Sequence, residues 1–321
     1  MRGSINYQVN QIFLKSEIFT PGVSKHAEKA VARESGAQTW ADLGKFLNVY
    51  SYNTAKTYKD VWHQFGHYCR QELGVRDLEK SLTGEHVKSF LESRIADGVR
   101  FSTFQKEAAA LSKFENAINK FAVNTGSERT YDFRSAMTDV RQEAAQILER
   151  FQGTRAYTDP DRLAQNISND NYRLGAQIQH GGGTRLYETS KIDLDQLSGR
   201  GTDPHTGKAV GFIRLDPADT KGGKGRTISI SPETYSQLEA HIAQHGEFRI
   251  SDSNSYRDAL KQAAGQSNQE YTGGSHGLRW NYAQERVSEL QRAGLTYDQA
   301  ISQTSWDMGH ERADITEHYL K

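Results

Sequence analysis

Apolar residues recur at helical spacing through segment 50–151, which restricts the folds open to this part of the chain. In the stretch SYNTAKTYKDVWHQFGHYCRQEL they return every three or four residues, at Tyr58, Val61, Phe65 and Tyr68. This period places the side chains along one side of an α-helix, whereas a half-buried strand would alternate apolar and polar residues. The pattern therefore predicts an all-helical bundle.

Three further helices are predicted in the same segment. Thr83 is a suitable N-cap for the second helix, and Gly98 is well placed to end it. The third helix, in STFQKEAAALSKFENAINKFAV, has its own apolar stripe of Leu111, Phe114, Ile118 and Phe121. The stretch FRSAMTDVRQEAAQILERF predicts a fourth helix, which completes the bundle.

The pattern changes in the second half of the chain. Asp159 and Pro160 follow Gly153 and mark a turn, so a linker is predicted at 152–158. Helical stretches then flank a run of glycines. Two runs rich in β-branched residues, AVGFIRL and RTISIS, are separated by DPADTKGGKG, which is typical of a β-hairpin. After the second run the chain returns to helices.

A chain of 321 residues suits two domains better than one small core. We predict an extension or arm at 1–45, a helical domain at 46–151, a linker at 152–158 and a second domain at 159–321. Apolar residues are 36% of the chain and charged residues 25%, which allows folded cores under a polar surface. No apolar run of about 18 residues and no secretory signal is recognisable, so a cytoplasmic location is predicted.

Two counts bear on chemistry and partners. The single cysteine, Cys69, excludes an intramolecular disulfide and a cysteine-based zinc site, and its place in a predicted helix favours simple packing.

The net charge is zero, with 40 Lys plus Arg against 40 Asp plus Glu. This balance argues mildly against nucleic acid, because backbone binding depends on cationic side chains. A local concentration of Lys and Arg would still suffice.

Motifs for two other chemistries are incomplete. The segment GRGTDPHTGKA lacks the glycine spacing of a phosphate loop and has Ala209 where a hydroxyl is needed, which argues against nucleotide hydrolysis. His241 and His245 have the spacing of zinc ligands on a helix, but no HExxH glutamate and no cysteine ligand accompany them. A solvated helix face is the better interpretation.

Five polar motifs follow one another in the second domain: GGTRLYE, TKGGKGR, SHGLRW, MGH and EHYLK. A phosphodiester under attack gains negative charge on its non-bridging oxygens, and guanidinium groups offset that charge with forked hydrogen bonds. Arg185 and Arg279 are the candidates for this task. His276 lies three residues before Arg279 at a predicted helix start, so both project from one side of the helix. A proton carrier is thereby expected beside the arginines.

A tyrosine side chain has a pKa of about 10 in water, so it must lose its proton during attack or occupy a strongly cationic site. Two arginines and a lysine supply such a site. The leaving 5′-oxygen needs a proton, and a lysine in the hairpin turn is a reasonable general acid. Lys221 is the first choice and Lys224 the second. The motifs together fit metal-free phosphoryl transfer to a tyrosine.

From about Tyr157 to the end, the order and spacing of these motifs resemble the tyrosine recombinase (phage integrase) family. GGTRLYE resembles its T-G-x-R-x-x-E box, TKGGKGR its hairpin lysine segment, SHGLRW its His-x-x-Arg box and MGH its Leu-Gly-His. Tyr319 lies nine residues after His310, the spacing usual in the family. The resemblance implies catalytic roles for Arg185, Lys221, His276, Arg279, His310 and Tyr319, with Glu188 and Lys224 supporting them.

The resemblance also implies a fold and an activity. The fold is mainly α, a two-domain DNA clamp with a helical core-binding bundle and a catalytic domain bearing a small antiparallel β-sheet. The activity is site-specific recombination, by which a mobile element is integrated or excised through a 3′-phosphotyrosine at Tyr319. Metal ions and cofactors are not expected. The expected partners are double-stranded DNA with specific sites, three further copies of the chain in a homotetramer and a directionality factor, in the bacterial cytoplasm or nucleoid.

Some assignments within this scheme remain open. Lys56, Lys106 and Arg226 are predicted to contact DNA. Lys224 and Arg226 share the hairpin with Lys221 and could contact phosphate in its place. His310 is interpreted as a hydrogen-bonding residue that positions the phosphate or the tyrosine, and not as a proton carrier.

Two other functions fit the same motifs. One is a DNA-binding accessory protein of this fold that no longer cleaves, against which the intact set of polar residues argues. The other is an activity of the type IB topoisomerase kind, which would use similar chemistry without choosing a sequence. The printed sequence ends two residues after Tyr319, so the docking helix with which many family members contact a neighbouring protomer is not predicted from it.

Overall fold

A computed structural model of the protein describes residues 1, 3–220, 223, 225–310 and 312–320. The chain divides into two compact units, Met1–Phe151 and Gln152–Lys321. The predicted extension at 1–45 and linker at 152–158 stay predictions as domain assignments.

Regular structure in the described part of the first unit is α-helical. Its helices are α1 Ile5–Lys15, α2 Lys25–Glu34, α3 Trp40–Phe46, α4 Tyr52–Glu72, α5 Leu78–Ser81, α6 Gly84–Ala96, α7 Phe101–Asn124 and α8 Thr138–Ile147. The predicted all-helical bundle is therefore confirmed.

The core of the first unit is centred on Trp62 of α4. Its ring lies 4.9 Å from the ring of Phe114 on α7, measured between centroids, and its Nε1 donates a 2.8 Å hydrogen bond to the carbonyl of Ala110. Burial of large aromatic side chains is a major stabilising contribution in such a core. Cys69 is buried in the same cluster, as predicted, and burial raises the pKa of its thiol to about 12.

The first helix, α1, was not predicted. Its residues Ile5, Val9 and Ile12 recur at helical spacing and are buried in the same core as Trp62. Ser4 caps the helix by accepting a hydrogen bond from the backbone N–H of Tyr7. Part of the predicted extension is thus packed into the first unit.

The ends of the second predicted helix agree with the structure, whereas the start of the fourth does not. Helix α6 begins directly after Thr83, and Gly98, with a φ of +64°, follows its end, as predicted. The fourth predicted helix is shorter than its sequence pattern suggested. Glu115 accepts hydrogen bonds from the backbone N–H groups of Phe133 at 2.6 Å and Arg134 at 2.8 Å, and these contacts hold the preceding chain outside the helix.

The second unit combines helices with short strands. Its elements are α9 Pro160–Gln165, α10 Asp170–Gly182, α11 Leu186–Thr189, β1 Lys191–Asp193, β2 Leu197–Thr202, β3 Ala209–Leu215, β4 Arg226–Ile230, α12 Pro232–His245, β5 Glu247–Arg249, α13 Ser253–Gln266, α14 Ser275–Arg292, α15 Tyr297–Asp307, α16 Ala313–Glu317 and a 3₁₀ turn His318–Leu320.

Strands β3 and β4 form the predicted hairpin. They are antiparallel, with Gly211 opposite Ile230 and Leu215 opposite Arg226, and β2 adds a third strand on the other side of β3. The sequence of the connection includes Lys221 and Lys224, which both lie outside the described residues. Strands β1 and β5 form a separate antiparallel pair. The short strands β1, β2 and β5 were not predicted, because their sequences lack a run of alternating apolar residues.

The mainly α composition with a small antiparallel sheet is confirmed. Within the described residues, no helix is both long enough and apolar enough to span a membrane.

Candidate active site

Tyr319 lies in the 3₁₀ turn that follows α16, with its side chain largely buried. Its hydroxyl is 3.1 Å from Nε2 of His276, within hydrogen-bond distance. The ring packs against Trp280 and His310, with centroid separations of 5.3 Å and 5.5 Å. The tyrosine is thus fixed by rings on several sides while its hydroxyl meets a histidine nitrogen.

Helix α14 brings His276 and Arg279 to the same side, as their spacing predicted. The helix begins directly after Gly274, whose backbone angles of φ 54° and ψ −148° are accessible to glycine. His276 contacts the hydroxyl of Tyr319, and the guanidinium carbon of Arg279 lies 5.9 Å from the centre of the Tyr319 ring. One turn of α14 therefore supplies both a proton acceptor and a cation.

Arg279 is completely buried, and its guanidinium joins two loops. Nη1 donates to the carbonyl of Gly183, and Nη2 donates to the carbonyl of Met308 at 2.6 Å. Nη2 also lies 2.7 Å from Nε2 of His310. The remaining donor, Nε, has no hydrogen-bond partner among the described residues. Burial and the nearby charge of Arg185 lower the pKa of Arg279 to about 10, so it is still a cation at neutral pH.

Backbone conformation and close packing both require glycine at position 183. It ends α10 in the left-handed conformation, with a φ of +59°, and a Cβ there would lie 2.3 Å from the ring of Tyr282. The chain then turns into Thr184 and Arg185, which precedes the short helix α11. The glycine run thereby delivers both a carbonyl for Arg279 and the side chain of Arg185 to one place.

Glu188 is a buried carboxylate shared by two arginines. It accepts a 2.6 Å hydrogen bond from Nη1 of Arg185 and a 2.7 Å hydrogen bond from Nη2 of Arg226. The backbone N–H of Arg185 donates to it as well, at 2.9 Å. Burial opposes ionisation, but the hydrogen bonds and charges of Arg226 and Arg185 lower the pKa of Glu188 to about 2. The carboxylate therefore holds both guanidinium groups in place as an anion.

Arg226, at the start of β4, is held on two sides. Its Nε donates to the carbonyl of Asp307 at 2.9 Å, while Nη2 is bound to Glu188. A Cβ at Gly309 would lie 2.9 Å from Nη1 of Arg226, and Gly309 has a φ of +68°. The glycine of the MGH motif is therefore required both by its backbone conformation and by the close approach of Arg226.

Both site histidines are held neutral at physiological pH. Burial first, and then the charge of Arg279, lower the pKa of His276 to about 4 and that of His310 to about 3. A neutral imidazole has one nitrogen that can accept a proton. His276 lies beside the Tyr319 hydroxyl, whereas Nε2 of His310 is already occupied by Arg279.

This architecture is shared with solved structures of DNA recombinases. The structure of the XerH site-specific recombinase bound to palindromic difH substrate aligns with a TM-score of 0.64 and 13% identity, covering 98% of this chain and 91% of that one. The Tn1549 transposon integrase in complex with circular intermediate DNA aligns with a TM-score of 0.54 and 12% identity, covering 94% and 96%.

A lambda integrase dimer bound to a COC′ core site aligns with a TM-score of 0.53 and 14% identity, over 92% of this chain and 76% of that one. The chain has the tyrosine-recombinase fold. No protein-family model and no curated protein matches its sequence. Fold alone does not determine activity, which depends on the residues of the site.

Within the tyrosine-recombinase fold, the structure brings most of the predicted catalytic set together. The residues that lie close together are His276, Arg279, His310 and Tyr319, with Arg185 near enough for its charge to act on both histidines and Arg279, and with Glu188 bound to Arg185. The predicted general acids Lys221 and Lys224 lie outside the described residues.

The predicted DNA-binding residues occupy different environments. Lys56 and Lys106 are exposed on α4 and α7 of the first unit, and Nζ of Lys56 lies 2.9 Å from a carboxylate oxygen of Asp60. The side chain of Arg226 is only 10% exposed and is bound to Glu188. Their contacts with DNA stay predictions.

Sequence reasoning missed several residues that contact this set. Ser305 and Thr316 continue a hydrogen-bond chain behind His310, and Gln284 donates to the backbone carbonyl of Tyr319 at 2.9 Å. Nothing in the sequence distinguishes these residues from other polar side chains on helices. Asp307, by contrast, directly precedes the MGH motif, and that adjacency was a signal available in the sequence.

The sequence places His241 and His245 one helical turn apart on α12. The rings of His241 and His245 are 4.6 Å apart, measured between centroids. Among the described residues, no group of three or more His, Cys, Asp or Glu side chains is arranged to hold a metal ion.

Proposed function

We propose that this protein is a site-specific DNA recombinase that cuts and rejoins strands through a 3′-phosphotyrosine at Tyr319. The observation that carries the proposal is the 3.1 Å contact between the Tyr319 hydroxyl and Nε2 of His276, beside two arginines. A nucleophile within hydrogen-bond distance of a neutral base is the arrangement that covalent catalysis requires. Double-stranded DNA as the substrate is supported by the DNA-bound structures that share the fold.

The proposed binding step places the scissile phosphate between Arg185 and Arg279. Arg185 is partly exposed and held by Glu188, so its guanidinium can face a ligand without losing its orientation. Arg279 has a buried Nε with no partner among the described residues, and a phosphate oxygen would satisfy it. Two fixed cations at this point stabilise the charge that develops on the non-bridging oxygens.

The proposed chemical step forms one bond and breaks another. The Tyr319 oxygen attacks the phosphorus in line, and its proton passes to Nε2 of His276. The bond from phosphorus to the 5′-oxygen breaks with its electron pair on that oxygen. Lys221, or Lys224 in its place, donates the proton that makes the 5′-hydroxyl.

Rejoining is the same chemistry in reverse. A 5′-hydroxyl from the partner duplex attacks the phosphotyrosine, and Tyr319 leaves as it regains a proton. The energy of the broken phosphodiester is kept in the phosphotyrosine, so the proposed cycle needs no nucleotide hydrolysis. We further propose assembly as a homotetramer on two DNA sites for integration or excision of a mobile element, with a directionality factor choosing between them. Lys56, Lys106 and Arg226 are proposed to contact the DNA backbone.

The test is covalent capture. The wild-type protein is incubated with sheared genomic DNA of its source in EDTA and denatured with SDS, and protein-linked fragments are sequenced. A sequence enriched in this way is then built into a nicked duplex whose cleaved end diffuses away. We expect an SDS-resistant adduct whose phosphorylated peptide, identified by mass spectrometry, contains Tyr319.

Two tyrosine variants make the capture specific. Tyr319→Phe keeps the ring packing but removes the nucleophile, so it should form no adduct. Tyr297→Phe, at a half-exposed tyrosine at the start of α15, removes a hydroxyl elsewhere and should form the adduct at the wild-type rate. An adduct that persists in Tyr319→Phe would refute the assignment of the nucleophile.

The same experiment separates the two other functions. A non-cleaving accessory protein would bind the recovered DNA tightly and give no adduct from any variant. A topoisomerase would give adducts spread over many sequences and would relax supercoiled plasmid without a preferred site. Either result would replace the recombinase proposal.

A further inference from the structure

A chain of hydrogen bonds connects Arg279, through His310, to two hydroxyl groups and a backbone carbonyl. Nη2 of Arg279 lies 2.7 Å from Nε2 of His310, and Nδ1 of His310 lies 3.1 Å from Oγ1 of Thr316. Oγ1 of Thr316 is 2.6 Å from Oγ of Ser305, which donates to the carbonyl of Arg312 at 3.0 Å. The chain passes through four side chains and ends on a backbone oxygen.

The direction of donation along this series of hydrogen bonds is fixed at Arg279. A guanidinium group has donors and no acceptor, so Nε2 of His310 must accept from Arg279. His310 is neutral because its pKa is lowered to about 3, chiefly by burial and by the charge of Arg279. Its single ring proton is therefore on Nδ1, and it is donated to Thr316.

The polarity is fixed independently at the far end. A carbonyl oxygen accepts only, so the hydroxyl proton of Ser305 is directed to Arg312. Between Thr316 and Ser305 one hydroxyl must donate, and the proton of Ser305 is already in use. Thr316 therefore donates to Ser305, and all the protons in the chain point in the same direction.

Burial makes the chain hard to replace with water. The side chain of Thr316 is fully buried, and Ser305 and His310 are nearly so. When a buried donor loses its acceptor, its desolvation is no longer offset by a hydrogen bond, and the folded state is destabilised. The backbone N–H of His310 also donates to the carbonyl of Ser305 at 2.8 Å, which holds the two residues together by a second contact.

The two hydroxyls sit on the elements that carry the tyrosine. Ser305 is in the last turn of α15, and Thr316 is in α16, three residues before Tyr319. The hydrogen bond between them fixes α16 against α15. The position of the Tyr319 segment is thereby linked, through His310, to the orientation of Arg279.

We propose that Ser305 and Thr316 are positioning residues for strand cleavage. They hold His310 as the neutral tautomer with its proton on Nδ1, which leaves the lone pair of Nε2 to orient Arg279. They also set the distance from Tyr319 to the phosphate that Arg279 binds. This inference rests on the proposed function of Arg279 and Tyr319, but the tautomer of His310 can be measured without any DNA.

The first measurement is nitrogen NMR of the full chain with labelled histidine. The ring nitrogens of His310 should appear as a protonated Nδ1 and an unprotonated Nε2 at neutral pH in the wild-type protein. A proton on Nε2, or on both nitrogens, overturns the proposal. This result is independent of cleavage, so it stands even if Tyr319 forms no adduct and the proposed function fails.

The second measurement uses three matched threonine variants and the duplex recovered by covalent capture. Thr316→Val removes the hydroxyl at nearly constant volume, and Thr316→Ser restores it. Thr304→Val, in α15 next to Ser305, removes a buried hydroxyl that has no partner among the described residues. We expect Thr316→Val to slow adduct formation at saturating DNA about ten-fold, because a misoriented Arg279 would lose roughly one hydrogen bond to the phosphate in the transition state.

Thr316→Ser and Thr304→Val should cleave at close to the wild-type rate, and the dissociation constant for DNA should be the same in all three variants. Wild-type cleavage by Thr316→Val would overturn the proposal. Equal slowing in Thr316→Ser would also overturn it, because the methyl group and not the hydroxyl would then be responsible. If Thr316→Val does not fold, Ser305→Ala removes the next hydroxyl in the chain and should give the same loss.

Discussion

The hydroxyl of Tyr319 and Nε2 of His276 lie 3.1 Å apart, although the residues are separated by 43 positions in the chain. The other histidine beside the tyrosine ring, His310, directs its Nε2 to Arg279 and its Nδ1 to Thr316. His276 is therefore placed to take the proton of the tyrosine, whereas both nitrogens of His310 are already engaged. For this geometric reason we expect the two histidines of the site to have different tasks.

The rate of adduct formation should depend on pH through His276. Its pKa is lowered to about 4, so it remains able to accept a proton well below the range of an ordinary histidine. With DNA below saturation, where the profile reports the free protein, the rate should hold steady as the pH falls to about 5 and decline below that. A decline centred on about pH 6.5 would contradict the assignment of His276 as the base.

Removal of the His276 ring should confirm its role. His276→Ala is expected to slow adduct formation about 100-fold or more, the usual contribution of a positioned base. His245→Ala, at an exposed position on α12, serves as the control and should leave the rate unchanged. The rates of adduct formation of both variants and the wild type are measured under single-turnover conditions and compared.

Acid should destabilise the second unit through His310. An unfolded histidine binds a proton at about pH 6.5, whereas His310 in the folded chain does so only at about 3. Between these values unfolding takes up a proton, so the stability present above pH 6.5 is lost as the pH falls. The expected loss between pH 7.5 and pH 5 is about 2 kcal/mol from this one group.

Urea unfolding followed by the fluorescence of the chain measures that loss. His310→Gln lacks the titrating group, so its free energy of unfolding should fall less between the same two pH values. An equal pH dependence in the variant and the wild type would show that other groups are responsible.

Glu188→Gln should destabilise the protein and impair cleavage together. The substitution leaves Arg185 and Arg226 without their shared anion, and removal of one partner from a buried ion pair costs about 3 kcal/mol or more. Because the pKa of Glu188 is about 2, no protonation of this residue should be visible between pH 4 and pH 8 in the wild type. Asp195→Asn, at an exposed carboxylate that pairs with Arg214, is the control and should change stability little.

Gly309→Ala should be more harmful than alanine at a glycine of matched backbone conformation. Gly309 and Gly207 have φ values of +68° and +70°, so alanine is strained at both, at a cost of about 1 kcal/mol. A Cβ at Gly207 would meet nothing within 4 Å, whereas one at Gly309 would lie 2.9 Å from Arg226. The melting temperatures of the two variants are compared, and the difference between them measures the cost of the contact with Arg226. Equal decreases in melting temperature would show that the Arg226 side chain moves aside at little cost.

Local patterns in the sequence determined the helices of the first unit and the hairpin of the second. The stripe from Tyr58 to Tyr68 required a helix, and the β-branched runs around the glycine-rich turn required two paired strands. These signals are strong because they depend only on the geometry of a single element. Helix α1 was missed, although Ile5, Val9 and Ile12 have the same spacing, because the prediction treated the whole N-terminal segment as an arm.

The identities of the candidate site residues were also available in the sequence, since five motifs in a fixed order specify which side chains carry charge and protons. Their mutual geometry was not available. The sharing of Glu188 by two arginines and the relay through Ser305 and Thr316 join residues from separate elements. Such contacts depend on how helices and strands pack, and sequence spacing gives no measure of that packing. The sequence thus determined what the site contains, and the tertiary structure decided which histidine faces the tyrosine and which one orients the arginine.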